Sequence, residues 1–176
     1  MGETLLSLLQ EALKLEDDGR SYYLDVAQRT RNPLARRTFE VLADEEAKHR
    51  SYVEAYYRAQ ERCAEGPSMA AVGVESITQT DRARNVFEEA ARHAHEAVTE
   101  ETHLQEAYVH ATELERKSIE FYQAMLAKAD DANIVQFLEF LVDQERHHLE
   151  LLSRTQDFIS DPATWFFDEE KWTVEG

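Results

Sequence analysis

Cysteine, proline, glycine and long apolar runs are all scarce in this chain. One cysteine, Cys63, stands among 176 residues. That excludes an internal disulfide framework and any zinc or iron–sulfur site built from cysteines. Cys63 itself reads as a small helix-borne residue. Three prolines and five glycines are too few for a β-sandwich, which needs turn residues at every strand end. No apolar run approaches the roughly twenty residues of a membrane span. LLSLL at residues 5–9 lacks the basic flank and the length of a secretory signal. Basic residues are a minority: 19 Lys and Arg against 36 Asp and Glu, for a net charge of −17. A surface of that sign repels phosphate backbones, so no nucleic-acid partner is expected. No membrane partner is expected either, and a cytoplasmic, reducing location follows as the expectation.

What is present is 43% apolar and 31% charged residues, with enough aromatic and branched side chains to oppose disorder. The length suits one domain with a full core. From residue 3 to about 30, Leu5, Leu9, Ala12, Leu13, Tyr23 and Ala27 recur at helical spacing. Asn32-Pro33 breaks that pattern, and Pro33 suits the first turn of a second helix, expected to run to about residue 64. Gly66-Pro67 ends it. Residues 66–81 read as a loop and 82–98 as a shorter, weaker helix, able to pack across the bundle or to form a dimer contact. A third long helix is expected over about 102–128. Asp130-Asp131 marks a turn and an N-cap, and a fourth helix runs to about 158. The expected fold is therefore all-α, a four-helix bundle of two helical hairpins (about 3–64 and 102–158). A long crossover (about 65–101) containing a short helix joins them. Residues 1–160 form this domain. Residues 161–176, with Trp165, Phe166, Phe167 and Trp172, form an aromatic tail that covers bundle surface, in cis or on a partner chain.

The two hairpins repeat. At an offset of 99 residues, LADEEAKH (42–49) falls on LVDQERHH (141–148) without a gap. Leu42, Asp44, Glu46 and His49 meet Leu141, Asp143, Glu145 and His148. Ala12, Leu15, Glu16 and Tyr23 meet Ala111, Leu114, Glu115 and Tyr122. With 25 Glu and 7 His, about one Glu-x-x-His is expected by chance, and there are three. Only Glu46/His49 and Glu145/His148 are images of each other; Glu100/His103 has no image and is set aside. Glu16 and Glu46 are equidistant from the first hairpin turn, as are Glu115 and Glu145 from the second. Fifteen residues at 1.5 Å put all four about 22 Å from their loops. Each also interrupts an apolar stripe, so the four carboxylates are expected to meet in mid-bundle.

Four carboxylates in an apolar core repel one another and lose hydration, which drives their protonation. Two divalent cations offset four negative charges. Two bridging and two terminal carboxylates with one imidazole per metal suit iron or manganese. The expected ligands are Glu16, Glu46, His49, Glu115, Glu145 and His148, and this is the pattern of ferritin-like di-iron proteins. Tyr23 and Tyr122 each follow a ligand by seven residues and face inward, placed to hydrogen-bond a ligand. His93, His95, His103, His110 and His147 are expected to face solvent, and Asp44 and Asp143 to lie on helix flanks. Glu45 is set aside as a ligand because its image is Gln144.

The stretches KLEDDGRSYYLDVA, FEVLADEEAKH, ELERKSIEFYQAML and FLEFLVDQERHH resemble rubrerythrin-like members of the ferritin-like di-iron carboxylate superfamily. The tail DPATWFF is similar too. The resemblance implies a di-iron oxidoreductase that reduces peroxide or dioxygen, with an external electron-donor protein and a homodimer or larger homo-oligomer. Two departures stand out. One cysteine cannot build the Cys₄ iron site that rubrerythrins append, and the position of their additional glutamate, one turn after Glu115, holds Ser118. Two alternatives stay open. One is an iron-handling, ferroxidase or storage protein; the other is a helical interaction protein whose site is structural or vacant. Manganese or mixed metals suit the same ligands.

Overall fold

The computed structural model describes residues 4–62, 66–74 and 102–161. Four long helices account for most of them: α1 (Leu5–Arg29), α2 (Pro33–Gln60), α3 (Thr102–Leu126) and α4 (Ala132–Ser160). Each start has a local chemical cause. The Thr4 hydroxyl accepts from Ser7 N and the Ser7 hydroxyl accepts in turn from Thr4 N, satisfying two of the helix's unpaired donors. Asn32 accepts from Ala35 N, with Pro33 in the first turn. Asp131 accepts from the amides of Asn133 and Ile134. The three-residue link between α1 and α2 is closed by Arg36, whose Nη2 donates to Thr30 O at 2.9 Å.

Short links make α1–α2 and α3–α4 antiparallel hairpins, and the hairpins meet along α1–α3 and α2–α4. The α1–α3 pair is antiparallel as well, because Tyr23 reaches Glu115 while Tyr122 reaches back to Glu16. The core forms two apolar clusters. One gathers Leu9, Val53, Tyr56, Tyr122, Phe137, Leu138 and Leu141. The other gathers Tyr23, Val26, Phe39, Leu42, Tyr108, Leu151 and Leu152. The buried charged residues lie between them.

Three boundaries differ from expectation. The second helix ends at Gln60 rather than near 64, giving way to a turn at Glu61 and Arg62; the third ends at Leu126 rather than near 128; and the fourth runs to Ser160 rather than about 158. Within the stretch read as loop, Met69–Val72 forms one turn of 3-10 helix closed by Gly73 in the left-handed region at φ 80°. Its Val72 and the neighbouring Met69 pack on the first cluster. The crossover begins against the α3–α4 end, where Asn133 Nδ2 donates to Gly66 O at 2.7 Å. A side chain at 66 would clash, since a Cβ there would lie 2.3 Å from the Tyr56 hydroxyl. The short helix expected at 82–98, the tail after 161 and Cys63 lie outside the described residues. Among the described residues no helix is long and apolar enough to cross a membrane.

Phe137 is fully buried and stacks on Tyr56 at a centroid distance of 4.5 Å. Phe137→Ala is expected to cost about 3–5 kcal/mol, lowering the thermal midpoint by roughly 10 °C. Calorimetric unfolding of the two proteins checks it; an unchanged midpoint contradicts this packing.

Candidate metal centre

Helical periodicity alone brings the candidate side chains to one layer. Glu46 and His49 leave the same face of α2 one turn apart, and Glu145 and His148 do so on α4. Those faces oppose each other. The four residues can each offer a ligand atom, with all four atoms within 4.8 Å of one another. Glu16 from α1 and Glu115 from α3 close the layer from the other side. All six are buried, with at most 4% of any residue exposed.

The distances sort the carboxylates into two kinds. Glu46 and Glu145 each approach both imidazoles: Glu46 lies 3.9 Å from His49 Nδ1 and 3.1 Å from His148 Nδ1. Glu145 lies 3.4 and 3.3 Å from the same two atoms. Glu16 approaches His49 Nδ1 at 3.6 Å, and Glu115 approaches His148 Nδ1 at 3.3 Å. The two rings stack at 5.1 Å.

The tyrosines hold the outer carboxylates across the hairpins. Tyr23 on α1 donates to Glu115 Oε1 on α3, and Tyr122 on α3 donates to Glu16 Oε1 on α1. Each phenol is buried against carboxylates, and burial first, then those charges, pushes both hydroxyls well above their usual range. They therefore remain protonated donors. Each tyrosine thus hydrogen-bonds a carboxylate of the layer that lies on the opposite hairpin.

What the layer lacks is equally informative. Glu16 Oε2, both oxygens of Glu145, His49 Nδ1 and both ring nitrogens of His148 are buried with no hydrogen-bond partner. Buried polar atoms are rarely left so, and here all but His148 Nε2 converge on a common space. Without cations the layer must retain protons. Burial, reinforced by the charges of Glu145 and Glu16, pushes Glu46 well above the carboxylate range. Burial lifts Glu115 to about 8. Burial opposes a charge on His49, but the Glu145 and Glu16 carboxylates outweigh it and lift the imidazole to about 9. His148 is raised in the same way, chiefly by Glu115. Glu145 goes the other way: burial disfavours its charge, but the adjoining Glu115, His148 and His49 groups outweigh it and hold the carboxyl well below its usual range. Hard oxygen donors with two imidazoles, enclosed and short of positive charge, fit two divalent ions.

Residues set aside fall where expected. His147 is exposed, the His103 and His110 side chains are 96% and 50% exposed, and Asp44 and Asp143 are exposed; His93, His95 and Glu100 lie outside the described residues. One neighbour was not anticipated. Glu45 Oε2 stands 3.6 Å from His148 Nε2, the ring nitrogen turned away from the carboxylate layer. A ligating imidazole needs an acceptor for its second nitrogen, and that requirement was the available signal.

Residues 7–156 match the rubrerythrin family. The match covers most of the chain, which belongs to that family. The comparison with curated proteins returns no significant match, and neither does that with solved structures.

The protonation pattern sets a pH dependence for the metal-free protein. The folded values of Glu115 and His49 lie above those of the unfolded chain. Both groups therefore stabilise the fold at low pH, and that contribution fades as pH rises. The window runs from about 4.5, the ordinary carboxylate value from which Glu115 is raised, to about 9, the folded value of His49. Glu145 contributes in the opposite sense: its stabilisation is present above the ordinary carboxylate value and is lost as acid protonates it. The thermal midpoint of chelated protein should fall as pH rises through that window. With metal bound the fall should be shallower, because cations replace the protons. A flat or rising midpoint in chelated protein contradicts this electrostatic picture.

Proposed function

We propose that this protein is an oxidoreductase that reduces peroxide or dioxygen at two iron ions held by Glu16, Glu46, His49, Glu115, Glu145 and His148. The observation that carries this reading is the closed layer of carboxylates and imidazoles whose unpartnered atoms face one another in mid-bundle. In this reading Glu16 and His49 would hold one ion and Glu115 and His148 the other, with Glu46 and Glu145, which approach both imidazoles, available to either. Ferrous ions held there would supply the electrons for reduction, and an external donor would return them.

The chain's own contribution is positional and electrostatic. Four carboxylate charges match two divalent cations, so loading relieves the repulsion of the empty layer. Tyr23 and Tyr122 restrain one oxygen of each outer carboxylate and leave its second oxygen to the ion. Glu46 and Glu145 have no tyrosine donor among the described residues, which leaves them free to tilt as charge at the centre changes. The apolar clusters on either side keep bulk water from the reacting oxidant. Resetting electrons come from a separate donor protein, because Cys63 alone cannot build a Cys₄ iron site. A homo-oligomer in the cytoplasm completes the proposal.

A second reading, in which iron is itself the substrate and is oxidised for transfer or storage, is favoured by Ser118. This half-buried α3 residue occupies the position where peroxide-reducing rubrerythrins carry an additional glutamate. Stoichiometry separates the two. Anaerobic ferrous protein mixed with hydrogen peroxide, and separately with dioxygen, should oxidise about two irons per chain, then recycle only when a donor is added. Glu115→Ala should abolish this. Oxidation of many irons per chain without any donor would replace the first reading with the second.

A further inference from the structure

The layer has an internal two-fold symmetry that the contacts obey pair by pair. Exchanging each residue for its image 99 positions away turns Tyr23–Glu115 into Tyr122–Glu16. It turns His49–Glu145 into His148–Glu46, His49–Glu46 into His148–Glu145, and His49–Glu16 into His148–Glu115. One contact cannot be copied with its charge. Glu45 Oε2 stands 3.6 Å from His148 Nε2, and the image of Glu45, 99 positions on, is Gln144, a buried residue of α4.

We infer that the two metal positions are unequal, the one served by His148 binding its ion first and more tightly because Glu45, a carboxylate, backs that imidazole, whereas the repeat puts a neutral amide, Gln144, at the equivalent position of the other half. Both imidazoles present Nδ1 to the carboxylate layer, so Nε2 must carry the ring proton when an ion binds. Once the 3.6 Å separation closes to hydrogen-bond length on metal binding, a carboxylate accepting that N–H makes a charge-assisted hydrogen bond, about twice as strong as a neutral one. It also increases the donor strength of Nδ1. An amide oxygen fixes the same tautomer without adding charge. The surroundings of Glu45 favour a charged acceptor, since its side chain is 15% exposed and Lys48 lies 3.8 Å away on its outer side. Its charge is thus supported from solvent while it faces a buried ring. Glu45 and Gln144 are positioning residues that act through the histidines.

The inference rests on the ligand assignment above but not on any reaction, so cobalt(II) serves as a redox-inert probe. Wild type, Glu45→Gln, Gln144→Glu and the double exchange would be titrated with it by calorimetry. Proton NMR would follow the shifted imidazole N–H signals, each assigned by its loss in His49→Gln or His148→Gln. At one equivalent, wild type should show the His148 signal alone. Glu45→Gln should weaken the tighter step about 10- to 100-fold and let both signals grow together. The double exchange, which conserves composition and charge, should reverse the order so that His49 is occupied first. Equal growth of both signals in wild type, or an unchanged order in the double exchange, would overturn the inference while leaving the metal centre intact. Absence of any cobalt uptake by wild type would remove the metal centre and the inference with it.

Discussion

Four glutamates buried at one level of a helical bundle govern how everything around them is arranged. A single ionised carboxylate in such a core is costly, and four with mutual repulsion cannot all stay ionised without positive charge beside them. Every surrounding feature bears on that problem. Two imidazoles are drawn to the protonated form, two carboxylates hold protons well above their usual range, and two phenols donate to the outer carboxylates. The apolar clusters at either end must supply the stability that this polar layer does not.

The hairpin repeat explains how such a layer is built from few parts. One helix pair supplies a glutamate from its first helix and Glu-x-x-His from its second, and two copies facing each other complete the set. The tyrosines then cross from one copy to the other, tying the halves together at the carboxylates. Symmetry of this kind makes two equal positions by default. A single substitution between the copies, Glu45 against Gln144, is enough to make them differ.

Much of this was legible in the sequence because helices convert spacing into geometry. Asn32-Pro33 and Asp131 marked the hairpin turns within a residue or two, and equal distances from those turns placed Glu16, Glu46, Glu115 and Glu145 at one depth. The rest depended on contacts between helices, which no periodicity encodes. Tyr23 follows Glu16 on its own helix, yet its partner is Glu115 on the opposite hairpin. Glu45 sits about 100° around α2 from Glu46, and its reach to His148 exists only because α2 packs on α4. Met69–Val72 has too few residues to show a period, and its turn is stabilised by packing on the first cluster.

If the buried layer is a two-metal centre, the purified native protein carries its ions with it, and elemental analysis counts them. About two transition-metal ions per chain are predicted, with iron the principal metal. The same measurement on a Glu16→Ala/Glu115→Ala variant should fall towards zero. Native protein with metal content near zero would contradict a two-metal centre.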